Sequence, residues 1–209
     1  MEGSPDSSDY GYLWAWEPIS ASDVGVIMQG FRPRWWVCGG LALDLFIGRE
    51  TRRHDDLDVA VLRRDQALLR SHLRSWDLRY ATPEHLLEPW DGGWLAAPIH
   101  GIWARRSTDQ HAAWTCEFLL NEADNDEWVF RRDDRIRRSL ASVGEERDGI
   151  PYLCPEIVLL YKASEPSPKN EADFAAVAAQ LPHAATGWLA DALQITCPNH
   201  PWLERLVEA

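Results

Sequence analysis

Asp56 and Asp58 stand two residues apart in Asp56-Leu57-Asp58-Val59-Ala60-Val61-Leu62, a stretch that is otherwise apolar. On an extended strand, residues i and i+2 share a face, so the spacing predicts two carboxylates side by side. Like charges that close raise each other's pKa unless a cation lies between them. Oxygen donors with open positions suit Mg²⁺, which also binds substrate phosphates. A solvated strand end is the plainer reading of an isolated pair of this kind.

Glu117 adds a third acid. It interrupts Trp114-Thr115-Cys116-Glu117-Phe118-Leu119-Leu120, a strand of apolar and small residues. A carboxylate in such a strand needs a partner, so it serves either a metal or catalytic role or an exposed sheet edge. Glu122 and Asp124, just beyond, are the alternative acids. Gly39-Gly40 falls between an expected strand and an expected helix. Glycines there let backbone N–H groups approach a phosphate, and the helix start behind them favours negative charge. The run lacks the G-x-G-x-x-G spacing of dinucleotide-binding folds. Arg49 to His54 precedes the aspartates and offers guanidinium contacts to phosphate or an exposed charged loop.

The elements that must position these groups follow from periodicity and breakers. Helices are expected from Ser20 to Gly30 and from Leu41 to Ile47, the second stopped by Gly48. Strands are expected at Trp35–Cys38, Asp56–Leu62, Leu78–Thr82, Ile99–Arg105, Ala113–Asn121 and Glu127–Phe130, with a helix over Arg64–Leu73. Pro83–Gly93 and Asn121–Asp126 read as turns, and Met1–Pro5 as a loose tail. From Pro155 the pattern turns helical. Pro155 suits a first helical turn, Ser167-Pro168 opens a second helix, and Thr186–Ile195 forms a third. The expected organisation is an α/β domain over 1–150 and a small helical part over 151–209.

Composition narrows the function. Of 209 residues, 45% are hydrophobic, enough for a real core, and Lys+Arg 21 against Asp+Glu 33 give a net charge of −12. That balance argues against nucleic acid and suits a cationic partner. No apolar run is long enough for a membrane span and no signal peptide is read at the N-terminus. The cysteines Cys38, Cys116, Cys154 and Cys197 are widely spaced, with no C-x-x-C pair, which suits free thiols in a reducing cytoplasm.

A strand, Gly-Gly, a helix, the paired aspartates on a second strand and one acid on a later strand together resemble the polymerase-beta-like nucleotidyltransferase superfamily. Within it, Gly39 to Arg49 and His54-Asp55-Asp56-Leu57-Asp58-Val59 look like the bacterial aminoglycoside and lincosamide adenylyltransferases, which carry a similar GG…D…G…TR.HDD.D run. The resemblance covers most of residues 30 to 181 and is strongest at this first motif. It implies an α/β (α+β) fold, with a mixed sheet, flanking helices and a C-terminal helical part. It further implies Mg²⁺-dependent transfer of a nucleoside monophosphate, AMP by analogy, from a nucleoside triphosphate to a hydroxyl of a small, cationic acceptor such as an aminoglycoside. Asp56, Asp58 and Glu117 match the metal and catalytic acids, though the family's third acid is usually aspartate. Gly39 and Gly40 match the phosphate turn, and Arg52, His54 and Lys162 are the further nucleotide-binding candidates. The competing readings are a toxin-like transferase acting on a protein or tRNA, and a non-catalytic nucleotide-binding module.

Overall fold

The structure is a computed structural model that describes residues 15–17, 19–84, 86–109 and 111–207. The expected Met1–Pro5 tail, and His85 in the Pro83–Gly93 segment, lie outside the described residues.

In chain order the elements are α1 (Ala21–Ile27), β1 (Trp35–Val37), α2 (Gly39–Ile47), β2 (Asp58–Leu62), α3 (Gln66–His72), β3 (Asp77–Ala81), β4 (Leu87–Pro89), β5 (Gly101–Arg105), β6 (Cys116–Asp124), β7 (Glu127–Val129), β8 (Arg137–Ser139), β9 (Gly144–Arg147), β10 (Ile150–Leu153), α4 (Pro155–Ala163), α5 (Pro168–Val177), α6 (His183–Thr196) and α7 (Trp202–Val207). The mixed sheet runs β4-β3-β5-β6-β2-β1-β10-β9, and β7 extends from β6 to pair with β8. The neighbours β2 and β6 are parallel, as are β1 and β10, whereas β1 and β2 are antiparallel.

Strand β2 lies at the sheet's centre, and Val59, Ala60, Val61 and Leu62 are all buried. A run buried on both faces explains why it reads as continuous apolar sequence rather than strict alternation. The strand begins at Asp58, so Asp56 sits exposed in the preceding loop and not on the strand as its spacing suggested. Gly39 and Gly40 open α2 itself; the helix starts two residues before Leu41 and ends at Gly48, whose left-handed φ of 83° caps it. Ser20 caps α1 with a reciprocal capping box to Asp23.

Several elements differ from expectation. The turn-rich Pro83–Gly93 segment contains the edge strand β4, paired antiparallel with β3. Strand β6 runs on through the expected turn to Asp124, because Glu122, Ala123 and Asp124 pair with β7. Strands β8 to β10 were not legible as strands. Short and polar, they are held by pairing rather than by burial, except that β10 buries Tyr152 and Leu153 and completes the sheet beside β1. The helical part then starts at Pro155, and α2 packs against α4 and α5.

The loop joining α2 to β2 is pinned from the helix. Asp44, buried on α2, accepts from the Thr51 backbone N–H at 3.0 Å and the Thr51 hydroxyl at 2.5 Å, and its other oxygen lies 2.6 Å from His54 Nε2. A buried acceptor that serves several donors leaves all of them unsatisfied when removed. Asp44→Ala is therefore expected to cost about 2–3 kcal/mol in urea unfolding. Thr51→Val, which keeps the backbone donor, should cost about 1 kcal/mol. Equal stability of Asp44→Ala and the parent chain would show that the loop is held otherwise.

Candidate active site

The parallel pairing of β2 and β6 sets Asp58 directly opposite Glu117, and the Glu117 N–H donates to the Leu57 carbonyl at 2.9 Å. Strand neighbours in register lie about 5 Å apart. The backbone is cut away around both carboxylates. An ideal Cβ on Gly39 would sit 2.5 Å from Asp58 Oδ2, and one on Gly101 of β5 would run into Glu117 Oε1. Gly39 also has a φ of 65°, a left-handed conformation that glycine adopts freely. Trp103, opposite Glu117 in register, gives its carboxylate a side-chain hydrogen bond. The Asp58 carboxylate has no hydrogen bond or ion pair to any of the described residues.

Both acids are pushed well above the usual carboxylate range. For Asp58 the cause is burial, then the charge of Asp56, with Lys162 and Lys169 opposing. For Glu117 it is burial, then Asp58, with the Trp103 hydrogen bond opposing. Asp56 therefore contributes charge to the pair, although it lines a separate surface hollow with Asp44 and His54.

Arg52 and His54 lie directly behind Gly40, where a Cβ would collide with both. Their polar ends are taken. Arg52 donates to Asp173 of α5 at 2.8 Å and 3.1 Å, and His54 pairs with Asp44. Lys162 of α4 meets the same Asp173 carboxylate at 2.8 Å. Burial works to raise the Asp173 pKa, but its two cations outweigh that and hold it below the ordinary value. This buried carboxylate joins the loop before β2 to the helical part. The sequence offers Arg52 and His54 as nucleotide contacts instead, because an ion pair between distant segments leaves no local signal.

A cavity of about 410 Å³ opens beside Asp58 and Gly39, walled by His100, Arg131, Lys162 and Lys169 among others. A larger hollow of about 890 Å³ shares Lys162 and Arg132 with it but lies between the helical part and the segment after β7, and Asp58 does not line it. Of the two, only the smaller is lined by Asp58 and Gly39. Arg131 and Arg132 both lie 5.5 Å from the centre of the Tyr161 ring, which anchors them at the cavity wall. His100 is pushed down to about 4, by burial first and then by Arg131 and Arg63. Neither His100 nor Gly101 stood out in the sequence. Gly101 carried one usable signal, since a glycine beginning a strand can mark a close approach.

Among the described residues, no three His, Cys, Asp or Glu side chains converge to hold a metal ion. The oxygen donors of Asp58 and its neighbours nonetheless fit Mg²⁺, which takes one or two carboxylates and completes its shell with substrate phosphates. Glu122 and Asp124, the alternative acids, are committed elsewhere: Glu122 pairs with Arg63 at 2.7 Å and Asp124 with Arg137 at 3.0 Å.

Comparison with known proteins agrees with this geometry. Residues 23–82 match the family model for aminoglycoside-2''-adenylyltransferase, a span that includes Gly39, Gly40, Asp56 and Asp58 but not Glu117. Among solved structures, the fold resembles a crystal structure of ANT(2")-Ia in complex with adenylyl-2"-tobramycin, with a TM-score of 0.54 and 14% identity over 85% of this chain and 98% of that one. A solution structure of ANT(2'')-Ia matches with a TM-score of 0.54 and 13% identity, over 91% and 94% of the two chains. The lincomycin-bound structure of the lincosamide antibiotic adenylyltransferase LnuA matches with a TM-score of 0.50 and 12% identity, over 74% and 92%. No curated protein matches. The chain thus has the nucleotidyltransferase fold of antibiotic adenylyltransferases and carries that group's first motif.

The carboxylate pair makes a prediction that needs no substrate. Both acids hold their protons to higher pH in the folded chain than in the unfolded one. The pair's contribution to stability is therefore complete below the ordinary carboxylate range and is lost as pH rises through the folded values. Asp58→Asn removes the repulsion, so the Glu117 titration followed by carboxyl NMR should move to lower pH. The variant should be more stable than the parent by about 1 kcal/mol near pH 8 and equal to it near pH 4. An unmoved Glu117 titration would contradict the pairing.

Proposed function

We infer that the chain transfers a nucleoside monophosphate, AMP by its likeness to adenylyltransferases, from a nucleoside triphosphate to a hydroxyl of a small cationic acceptor. The observation that carries this is the placement of Asp58 and Glu117 side by side on β2 and β6, at the N-terminus of α2, beside a cavity with cations on its far wall. The α/β part, taken as 1–150, supplies the acids. The helical part, taken as 151–209, supplies Lys162 and Lys169.

The reaction makes a bond from the acceptor oxygen to the α-phosphorus and breaks the α-phosphorus bond to pyrophosphate. Gly39 and Gly40, at the start of the nine-residue helix α2, leave room for phosphate oxygens near the helix N-terminus. Lys162, held by Asp173 and Asn170, and Lys169 lie where they would meet the negative charge that grows on the leaving pyrophosphate. Asp56 and Asp58 would hold Mg²⁺ together with the phosphates, and the ion would supply charge neutralisation at the α-phosphate and the leaving group. Glu117 would accept the proton of the attacking hydroxyl. Its raised pKa suits that task, because a base is most useful when its pKa lies near the working pH.

The chain as a whole is acidic. The net charge of −12 and the acids at the mouth of the site attract a polycation over a longer range than any single contact. This supports an aminoglycoside-like acceptor over a neutral sugar, in line with the tobramycin product named for one structural neighbour. The free cysteines, Cys38, Cys116 and Cys154 buried and Cys197 exposed, support a cytoplasmic site of action. No described helix is long and apolar enough to cross a membrane.

Glu117→Gln should lower transfer on the order of 10²–10⁴-fold, with nucleotide affinity nearly unchanged. Acceptor affinity should fall as salt is raised, since screening shortens the field to about 8–10 Å near physiological ionic strength. Steady-state rates on a panel of aminoglycosides and neutral sugars, at low and high salt, read both effects. Near-full activity of Glu117→Gln would move the base elsewhere, and salt-independent binding would remove the electrostatic argument for a cationic acceptor.

A further inference from the structure

Arg63 follows β2 directly and is buried, with each of its three guanidinium nitrogens engaged. Its Nε donates to Glu122 Oε1 at 2.7 Å, and its Nη1 donates to the carbonyls of Leu95 and Ile99 at 2.8 Å each. Its Nη2 lies 2.8 Å from His100 Nδ1. A guanidinium has donors only and stays charged at all ordinary pH. His100 Nδ1 must therefore present its lone pair to Arg63, and the ring proton must sit on Nε2.

No described residue receives a hydrogen bond from Nε2. The atom is not sealed in the interior either, because Arg70 Nε is the one buried side-chain polar atom without a partner among the described residues. His100 lines the cavity that contains Asp58. The charged groups around the ring are Arg63 after β2, Glu122 on β6, and Arg131 and Arg132 after β7. Three cations against one carboxylate disfavour a second proton on the imidazole.

We propose that Arg63 locks His100 as a neutral imidazole whose Nε2–H is a permanent hydrogen-bond donor to an oxygen of the bound substrate, which makes His100 a substrate contact and Arg63 its positioning residue. The oxygen acceptor is a phosphoryl oxygen of the nucleotide or a hydroxyl or ether oxygen of the second substrate; both offer a lone pair to this donor. The identity of the substrate rests on the nucleotidyl-transfer reading, while the tautomer does not. A ring fixed in this way cannot serve as the base, which leaves the proton to Glu117.

Two experiments test the assignment. In ¹⁵N-labelled full-length protein without substrate, two-bond ¹H–¹⁵N correlations of the His100 ring should show the neutral Nε2–H tautomer from about pH 5.5 to 8, a range on both sides of the free histidine pKa. Arg63→Met should release it to a mixture of tautomers. A cationic ring, or one protonated at Nδ1, overturns the proposal whether or not the chain is a transferase. His variants then test the contact even if Arg63→Met fails to fold. A glutamine amide reaches the place of Nε2, whereas an asparagine amide reaches only that of Nδ1. His100→Gln should keep kcat/KM within about threefold of the parent, and His100→Asn and His100→Ala should each lose roughly 10–100-fold, the range expected for one substrate hydrogen bond, with melting temperatures alike. ATP affinity by calorimetry, which needs no turnover, separates the sources: a loss there assigns the phosphoryl oxygen, and a loss confined to acceptor KM assigns the second substrate. Equal effects of glutamine and asparagine would overturn the contact. Absence of transfer in the parent chain with an intact Nε2–H tautomer would instead count against the function and leave the Arg63–His100 lock standing.

Discussion

Two carboxylates on adjacent parallel strands, half-buried and in register, govern the rest of this molecule. Asp58 and Glu117 cannot both be ionised at that separation in a partly dry site without a nearby cation. The fold relieves this only in part. Trp103 gives Glu117 one hydrogen bond, Lys162 and Lys169 act on Asp58 from across the cavity, and Gly39 and Gly101 leave the carboxylate oxygens uncovered. Such an arrangement keeps the acids protonated to higher pH, and a cation between them would favour their ionised form.

Much of what surrounds the acids is scaffolding for their geometry. Asp44 ties Thr51 and His54 to α2, which fixes the loop that delivers Asp56 and Asp58. Asp173 ties Arg52 and Lys162 together, which joins the loop to α4 and α5. Four of the polar residues in the Asp44–Asp58 motif, Asp44, Thr51, Arg52 and His54, thus do structural work, and of its aspartates Asp58 lines the cavity. The same division holds on the other side of the cavity, where Arg63 joins Glu122, the Leu95–Ile99 backbone and His100.

The sequence showed the fold's centre better than its edges. The helix stop at Gly48, the apolar run of β2 and the Pro155 helix start were legible because each rests on local chemistry. The short polar strands β8 and β9 were not, since pairing with their hairpin neighbours β7 and β10, and not an apolar face of their own, makes them strands. Asp148-Gly149, a two-residue turn pattern that joins β9 to β10, was the one local hint of that hairpin. At the site, the candidate acids, glycines and Lys162 could be named from residue type and spacing, and the motif likeness extended to the fold. The partners of Arg52 and His54 and the role of Arg63 could not, because each depends on residues 10 to 121 positions away along the chain.

The central claim is that a cation must accompany the nucleotide to relieve the Asp58–Glu117 repulsion. Calorimetric titration of ATP into the chain with Mg²⁺, and again with a chelator, tests it most directly. The account predicts measurable binding with Mg²⁺ and at least a tenfold loss without it, about 1.4 kcal/mol, with the loss much reduced in Asp58→Asn. Equal affinity with and without the ion, in the parent chain, would contradict it.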